Sequence, residues 1–406
     1  MYSTTRRRLV VAAALTPVAL TGTTALPGAA SADSTVDVAT EWYDLTTALI
    51  TASGAAAQVT NSRTWALAWL SAARATRRSN SADHQHAALA TASHAVLVAQ
   101  IPSRTSDLDA ALVSSLARVP DGRTKREGIA AGREEAAALL AEREGDGLDP
   151  ASVNAPFTPD APASGVWQPT PPAFGPAQQA GTRYARPFLL PSADRFRPLP
   201  PPPLGSGRNA RDLAEVRAFG ALGSVVRTQA QTDTAQFWFG SSLELYNGIL
   251  RAALTRSRRS LNWRAGLVAL FHTALVDTQI ATSEAKYHYR WWRPVTAIRE
   301  LHDPQWTPYH VTPSHPDYVS GHNIYSGAAE GVLTALAGPR ARAFTIGSPS
   351  APGVTRTYTD WATPSRENVD ARVWSGIHTR AADEAGIALG KKVARHTLDH
   401  AHRLFA

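Results

Sequence analysis

The chain has 406 residues, 44% of them hydrophobic and 18% charged, a balance that excludes a disordered chain and fits a packed globular protein. The formal charge is +8, but Arg6, Arg7 and Arg8 in residues 1–32 meet no acid there, so the remainder carries only +5, without a long basic run, which argues against a nucleic-acid partner. Cysteine is absent, which excludes disulfides and thiol chemistry.

The N-terminus reads as an export signal. Thr5-Arg6-Arg7-Arg8 precedes an apolar stretch to about Leu20, and Ala30-Ser31-Ala32 offers small residues for cleavage before Asp33. The Arg6-Arg7 pair points to the twin-arginine route for folded cargo, so residues 1–32 are expected to be a signal peptide and the product secreted. The stretch is short and broken by Pro17, and no later segment is read as reaching the ~20 apolar residues of a span, so no membrane span is expected in the mature chain.

Residues 33–149 are read as an N-terminal helical part, with apolar residues at helical spacing over 36–56, 63–77, 82–99, 106–118 and 124–143. His84 and His86 fall on different faces and are expected in solvent. Residues 150–206 hold 15 of the 28 prolines, but also Trp167, Phe174, Tyr184, Phe188 and Phe196. A linker is poor in aromatics, so this is expected to be an ordered strap over the helical body. Helical patterning returns over 210–230, 232–254 and 260–281, opening a C-terminal helical part, 207–406; strand-like alternation is scarce. One globular all-α domain is expected overall.

The C-terminal part carries three motifs. Lys286 and Arg293 are seven apart, which at ~100° per residue places both on one helix face, with Pro294 ending that helix or opening the next. Ser320-Gly321-His322 precedes an amphipathic run to Leu336, so Ser320 is a candidate N-cap beside unpaired N–H groups that suit an anion. Arg372 and His378 are six apart, roughly 240° on a helix, so they meet one ligand only if Arg372 lies at or before a helix start, with Asp370 as N-cap. His396 and His400 have the i,i+4 spacing of a metal pair but no third ligand in view. His288 lies within the first motif.

In this order and spacing the three motifs resemble those of the superfamily of vanadium-dependent haloperoxidases and type-2 phosphatidic acid phosphatases, which includes bacterial class A acid phosphatases. The resemblance covers about residues 277–395 and implies an all-α helical bundle of the haloperoxidase/acid phosphatase type. It implies that Lys286, Arg293 and Arg372 neutralise the oxygens of vanadate or phosphate, aided by Ser320 and the Gly321 N–H. His378 would bond the central atom, as vanadium ligand or phosphoryl nucleophile, and His322 would be the general acid–base, with Lys286 polarising bound peroxide. His315 stands where bromide-favouring haloperoxidases also carry His. The substrates implied are hydrogen peroxide and halide, or a phosphomonoester in the alternative of a secreted acid phosphatase; a non-catalytic phosphate-binding relative is a further alternative. Val319 and Ala371 replace a usual Pro and Ser. The phosphatase pattern also has Asp four residues after the nucleophilic His, where this chain has Ala382 followed by Asp383.

Overall fold

The structure, a computed structural model, describes residues 37–52 and 58–406; the expected signal peptide lies outside them. Five helices come first: α1 Val38–Ala52, α2 Gln58–Thr76, α3 Ala82–Gln100, α4 Thr105–Ala117 and α5 Arg123–Glu142. They follow the sequence ranges closely, because three- and four-residue apolar spacing sets where a helix has a face to bury. Ser81 caps α3 by accepting from the His84 N–H. His84 itself is buried, against expectation, with Nε2 against Ala75 O at 3.3 Å, because its face of α3 packs on α2.

A short helix α6, Pro150–Val153, opens the proline-rich segment, which is ordered and ends at α7, Gly207–Phe219. Its anchors are particular. The buried Asp277 carboxylate accepts from the backbone N–H groups of Phe188, Leu189 and Leu190 at 2.6, 2.8 and 3.0 Å. Arg197 forks onto Glu284, and the Tyr289 and Tyr318 hydroxyls donate to the carbonyls of Pro198 and Leu199. Asp277, Glu284 and Tyr289 all belong to α10, Leu261–Tyr289, so the strap wraps that helix.

α10 is the centre of the molecule, with every residue from Ala265 to Ser283 buried. Contrary to the sequence reading, its 29 residues are long and apolar enough to span a membrane by length and composition, but here they are buried within the protein. The two helices expected over 210–254 are three: α7, α8 (Gln229–Phe237) and α9 (Ser242–Arg256). The chain leaves α7 at Gly220 because backbone pairs there with the segment before the second motif, Leu222 N to Thr307 O and Tyr309 N to Gly220 O.

After α10 come α11 (Pro294–Leu301) and α12 (Gly321–Ala337), then a hairpin the helical reading missed, β1 Arg340–Ser348 and β2 Ala351–Asp360, antiparallel. Phe344, Ile346 and Ser348 alternate inward from β1. Helices α13 (Ala362–Trp374) and α14 (Arg380–Asp399) complete a fold that is all-α apart from this hairpin among the described residues. α12 and α14 pack backbone to backbone: a Cβ at Gly386 would lie 2.9 Å from Ser320 O, and one at Gly390 2.3 Å from Ile324 O. Residues 37–406 form one compact unit.

Candidate active site

Lys286 and Arg293 converge, but not from one helix face. α10 stops at Tyr289, Arg290 takes a left-handed conformation (φ 49°), and Arg293 becomes the residue before Pro294 at the start of α11. Proline at that first position loses no helical hydrogen bond, so the second of the two sequence readings of Pro294 holds. Lys286 Nζ donates to the carbonyls of Pro316 and Asp317 at 2.5 and 3.1 Å. Arg293 is fully buried and donates from Nε to His315 O and from Nη1 to Ile377 O, both at 2.6 Å. Arg293 thus ties the segment before α12 to the turn before α14, and Lys286 holds the same segment to α10.

Ser320 is the N-cap of α12, as expected, but its hydroxyl makes no capping bond. Instead it faces the buried Asp383 carboxyl closely enough to oppose the rise in its pKa, without a hydrogen bond of good geometry. The Ser320 N–H is held by Ala382 O at 2.9 Å, which fixes the start of α12 against α14. His322 Nε2 lies 3.0 Å from Gly240 O. A carbonyl only accepts, so Nε2 carries the proton and Nδ1 the lone pair.

Arg372 and His378 also meet by a route other than the expected one. Arg372 lies in the last turn of α13, not at a helix start; Asp370 is no cap and pairs with Arg380 at 2.9 Å. The chain then reverses at Gly376 (φ 79°), where a Cβ would sit 2.3 Å from Gly220 O, and His378 sits in the turn just before Thr379 caps α14. A left-handed, backbone-contacting position of this kind accepts only glycine without distortion. Arg372 Nη1 donates to Trp238 O at 3.2 Å, while its Nε and Nη2 have no protein partner although buried.

The carboxylate on His378 is Asp317, which the sequence reading passed over. Its Oδ1 is 2.6 Å from His378 Nδ1, and its Oδ2 accepts from the Thr379 hydroxyl at 2.8 Å. Arg293 Nη1 lies 3.2 Å from the other ring nitrogen, Nε2. Nη1 is also 3.4 Å from Nδ1, so the tautomer is set by Asp317, whose carboxylate accepts at 2.6 Å and places the proton on Nδ1. Asp383 receives Asn323 Nδ2 at 2.8 Å and has no bond to His378, so it does not replace a carboxylate at position 382. Asp317 stands three residues before Ser320, outside the motif, and its approach to His378 is set by the fold, which chain spacing does not reveal.

Burial dominates the electrostatics. It pushes the His378 and His322 imidazoles well below their ordinary range, and Arg293, Lys286 and Arg372 reinforce this at His378, so both rings are neutral near pH 7. Asp317 is pushed up to about 6 by burial, with Arg293 and Lys286 pulling it back. Asp383 is raised well above the usual carboxylate range by burial, with Asp317 adding to the rise. Burial, then Arg293, pushes the Lys286 ammonium well below its ordinary value. An anion placed among these groups would reverse that push.

Lys286, His315, Gly321, His322 and His378 line a cavity of about 180 Å3, whose outer wall is closed by Gln178 and Gln179 of the strap. At ~30 Å3 per water this holds a tetrahedral oxyanion with room beside it. Arg293 lies behind that lining, 3.2 Å from the His378 ring, and Ser320 adjoins Gly321 in the chain; Arg372 does not line the cavity, but its charge acts on His378 and His322. His315 Nδ1 lies 2.9 Å from Arg293 Nη2, which can only donate, and 3.2 Å from Pro316 O, which can only accept; the shorter contact favours the Nε2–H tautomer. The strap glutamines, Gln279, Tyr325 and the carbonyls of the 238–240 turn were not read from the sequence. His288 packs edge-on against Tyr289 and does not line the cavity, and among the described residues no group of three or more metal-ligating side chains accompanies His396 and His400.

A bundle in which backbone turns, buried cations and a carboxylate-held imidazole converge on one cavity defines an oxyanion-binding helical fold. Residues 266–406, about a third of the chain, match the family model described as the VCPO second helical-bundle domain, so this part of the chain is similar to that domain. Among solved structures, the fold is similar to that of the first bacterial vanadium-dependent iodoperoxidase, at 22% identity and a TM-score of 0.78 over 90% of this chain and 98% of that one. It is also similar to a bacterial vanadium-dependent chloroperoxidase in its apo form, at 16% identity and a TM-score of 0.70 over 86% and 95%. The holo-type chloroperoxidase gives 16% and 0.68 over 90% and 93%. No curated protein matches the sequence.

Proposed function

We propose that the protein is a vanadium-dependent haloperoxidase-type enzyme that oxidises halide, bromide by preference, with hydrogen peroxide to hypohalous acid. The observation that carries this reading is the buried, incompletely satisfied cationic cage around a neutral imidazole: Arg372 keeps two buried donors without a protein partner, and its charge helps hold the His378 pKa down. A multiply charged oxyanion is the partner such a set of donors lacks. Vanadate fits this donor set. It would be held by Lys286, Arg293, Arg372, the Ser320 hydroxyl and the Gly321 N–H, with His378 Nε2 as its protein ligand. When bound, it supplies Lewis-acid activation of peroxide without changing oxidation state.

The chain's own residues then have defined tasks. Asp317 keeps the His378 proton on Nδ1, so Nε2 carries the lone pair, which the oxyanion's central atom would take in place of the Arg293 Nη1 contact. His322 Nδ1, unprotonated because Nε2–H is engaged by Gly240 O, is placed to take a proton from peroxide and return it to the departing oxygen. Anionic charge in the cavity favours the charged form of Lys286, whose ammonium is placed to polarise the oxygen that halide attacks. His315 offers an uncharged N–H, the feature behind the bromide preference. Peroxide, halide and one proton give hypohalous acid and water. We further propose that the protein is exported, on the strength of Arg6-Arg7 and Ala30-Ser31-Ala32; a secreted product beginning at Asp33 would support it.

A second reading is a phosphatase working through phosphohistidine. The Asp317 carboxylate on His378 Nδ1 favours it, because such a pair orients an attacking imidazole and stabilises the imidazolium. One paired assay separates the two: vanadate, peroxide and bromide with a brominatable dye, against a chromogenic phosphomonoester without vanadate. The haloperoxidase reading expects dye bromination that depends on vanadate and is lost in His378→Ala. Phosphomonoester hydrolysis with no halide oxidation would replace it with the second reading.

A further inference from the structure

At the other end of α10, the helices α9 and α12 and the strand β1 enclose a pocket of about 350 Å3 with Trp263 and Trp361 in its wall and Arg256, Arg259, Arg340 and Arg342 around it. Trp361 is fixed, its Nε1 donating to Gly338 O at 2.8 Å and its ring stacked on Phe344 with centroids 5.1 Å apart. The Arg259 guanidinium lies 5.4 Å over the Trp263 ring. No Asp or Glu lines the pocket. The contrast with neighbouring arginines is direct: Arg251 on α9 pairs with Asp44, and Arg264 on α10 pairs with Asp37. Asp360, opposite Arg340 in the hairpin register, commits its carboxylate instead to the N–H groups of Ala362 and Thr363 and to the Thr363 hydroxyl.

Four like charges around one hollow, with no acid in its lining, create a positive potential that an anion relieves. Guanidinium forks match planar or tetrahedral oxyanion groups, and tryptophan faces match a flat ring. The volume falls in the ~300–1,000 Å3 range of small-molecule pockets. Trp263 and Lys286 lie on one straight run of α10, so at ~1.5 Å per residue the two sites are about 35 Å apart.

We propose that this pocket binds a small aromatic organic anion, its sulfonate, sulfate, phosphate or carboxylate group held by the arginines and its ring by Trp263, with the buried Trp361 forming part of the pocket wall. The proposal does not depend on the chemistry assigned to the cavity. It is tested by titrating the purified protein with 2-naphthalenesulfonate, following heat and tryptophan fluorescence, beside inorganic sulfate (the charge without the ring) and 2-naphthylmethanol (the ring without the charge). Expected is one-site binding of the sulfonate with quenched fluorescence, about tenfold or more tighter than either control. Arg256→Ala combined with Arg340→Ala, and separately the exposed-site variant Arg342→Glu, should each weaken it by about tenfold or more, while Lys286→Ala leaves it unchanged. Undiminished binding in both arginine variants, loss of binding in Lys286→Ala, or sulfate binding as tightly as the sulfonate would each overturn the proposal.

Discussion

His378 lies between Asp317 and Arg293, and its tautomer is set by Asp317. Asp317 accepts from Nδ1 at 2.6 Å, and Arg293 donates toward Nε2 at 3.2 Å. Asp317→Asn preserves size but lets an amide N–H donate to Nδ1, which moves the ring proton to Nε2 and removes the lone pair the oxyanion site needs. Vanadate affinity measured by calorimetry should fall by about 10- to 100-fold, the usual effect of removing a group that orients a metal-bound histidine. Unchanged affinity would mean that Asp317 is only a structural contact. At this scale, the cationic and imidazole positions were legible in the sequence because their identities are chemically unusual together. Asp317 was not, because its role depends on a fold that brings the segment before α12 onto the turn before α14.

At the scale of elements, apolar spacing gave the existence and approximate bounds of the first five helices, although α2 and α3 are buried on several faces and α2 begins five residues before its expected start. It failed where backbone pairing overrode it, at Gly220 and in the β1–β2 hairpin, and where two motif residues were assumed to share a helix. Arg290 in a left-handed conformation and the reversal at Gly376 bring Lys286 to Arg293 and Arg372 to His378 across chain turns. Ala382 shows why the phosphatase pattern is broken here. With Gly386 and Gly390 it forms a row of small residues at four-residue spacing against which α12 lies, and its own carbonyl holds the Ser320 N–H. An aspartate there would not acquire His378, whose Nδ1 is already engaged. Ala382→Asp should therefore leave any phosphomonoester hydrolysis no higher. It should also lower stability to urea by about 3 kcal/mol, the cost of a buried carboxylate without its own partner. A gain in hydrolysis without loss of stability would show that the helix pair opens to admit it.

Over the whole molecule, the strap and the core helix are coupled through Asp277, so the glutamines at the cavity wall are carried by the same element that clamps α10. That core also contains a titratable group with no functional contact. The His272 ring is fully buried, stacked on Trp65 with centroids 4.7 Å apart, and neither ring nitrogen has a hydrogen-bond partner. Burial alone pushes its pKa well below the ordinary histidine value. Below pH ~6.5 the unfolded chain therefore binds a proton there that the folded one does not, so stability present above that pH is lost as pH falls. His310, held down to about 4, and the cavity histidines act with the same sign. Asp317 and Asp383, whose folded values are raised, act with the opposite sign, adding stability at low pH that is lost as pH rises. His272→Phe keeps the ring on Trp65 and removes one titration from this sum without touching the others. At pH 7 its stability to urea should be nearly unchanged. At pH 5, about 1.5 units below the unfolded value, it should retain about 2 kcal/mol more than the parent, at ~1.4 kcal/mol per unit. An equal loss between pH 7 and pH 5 in both proteins would mean that His272 takes up its proton within the folded core, and that the core admits water beside Trp65.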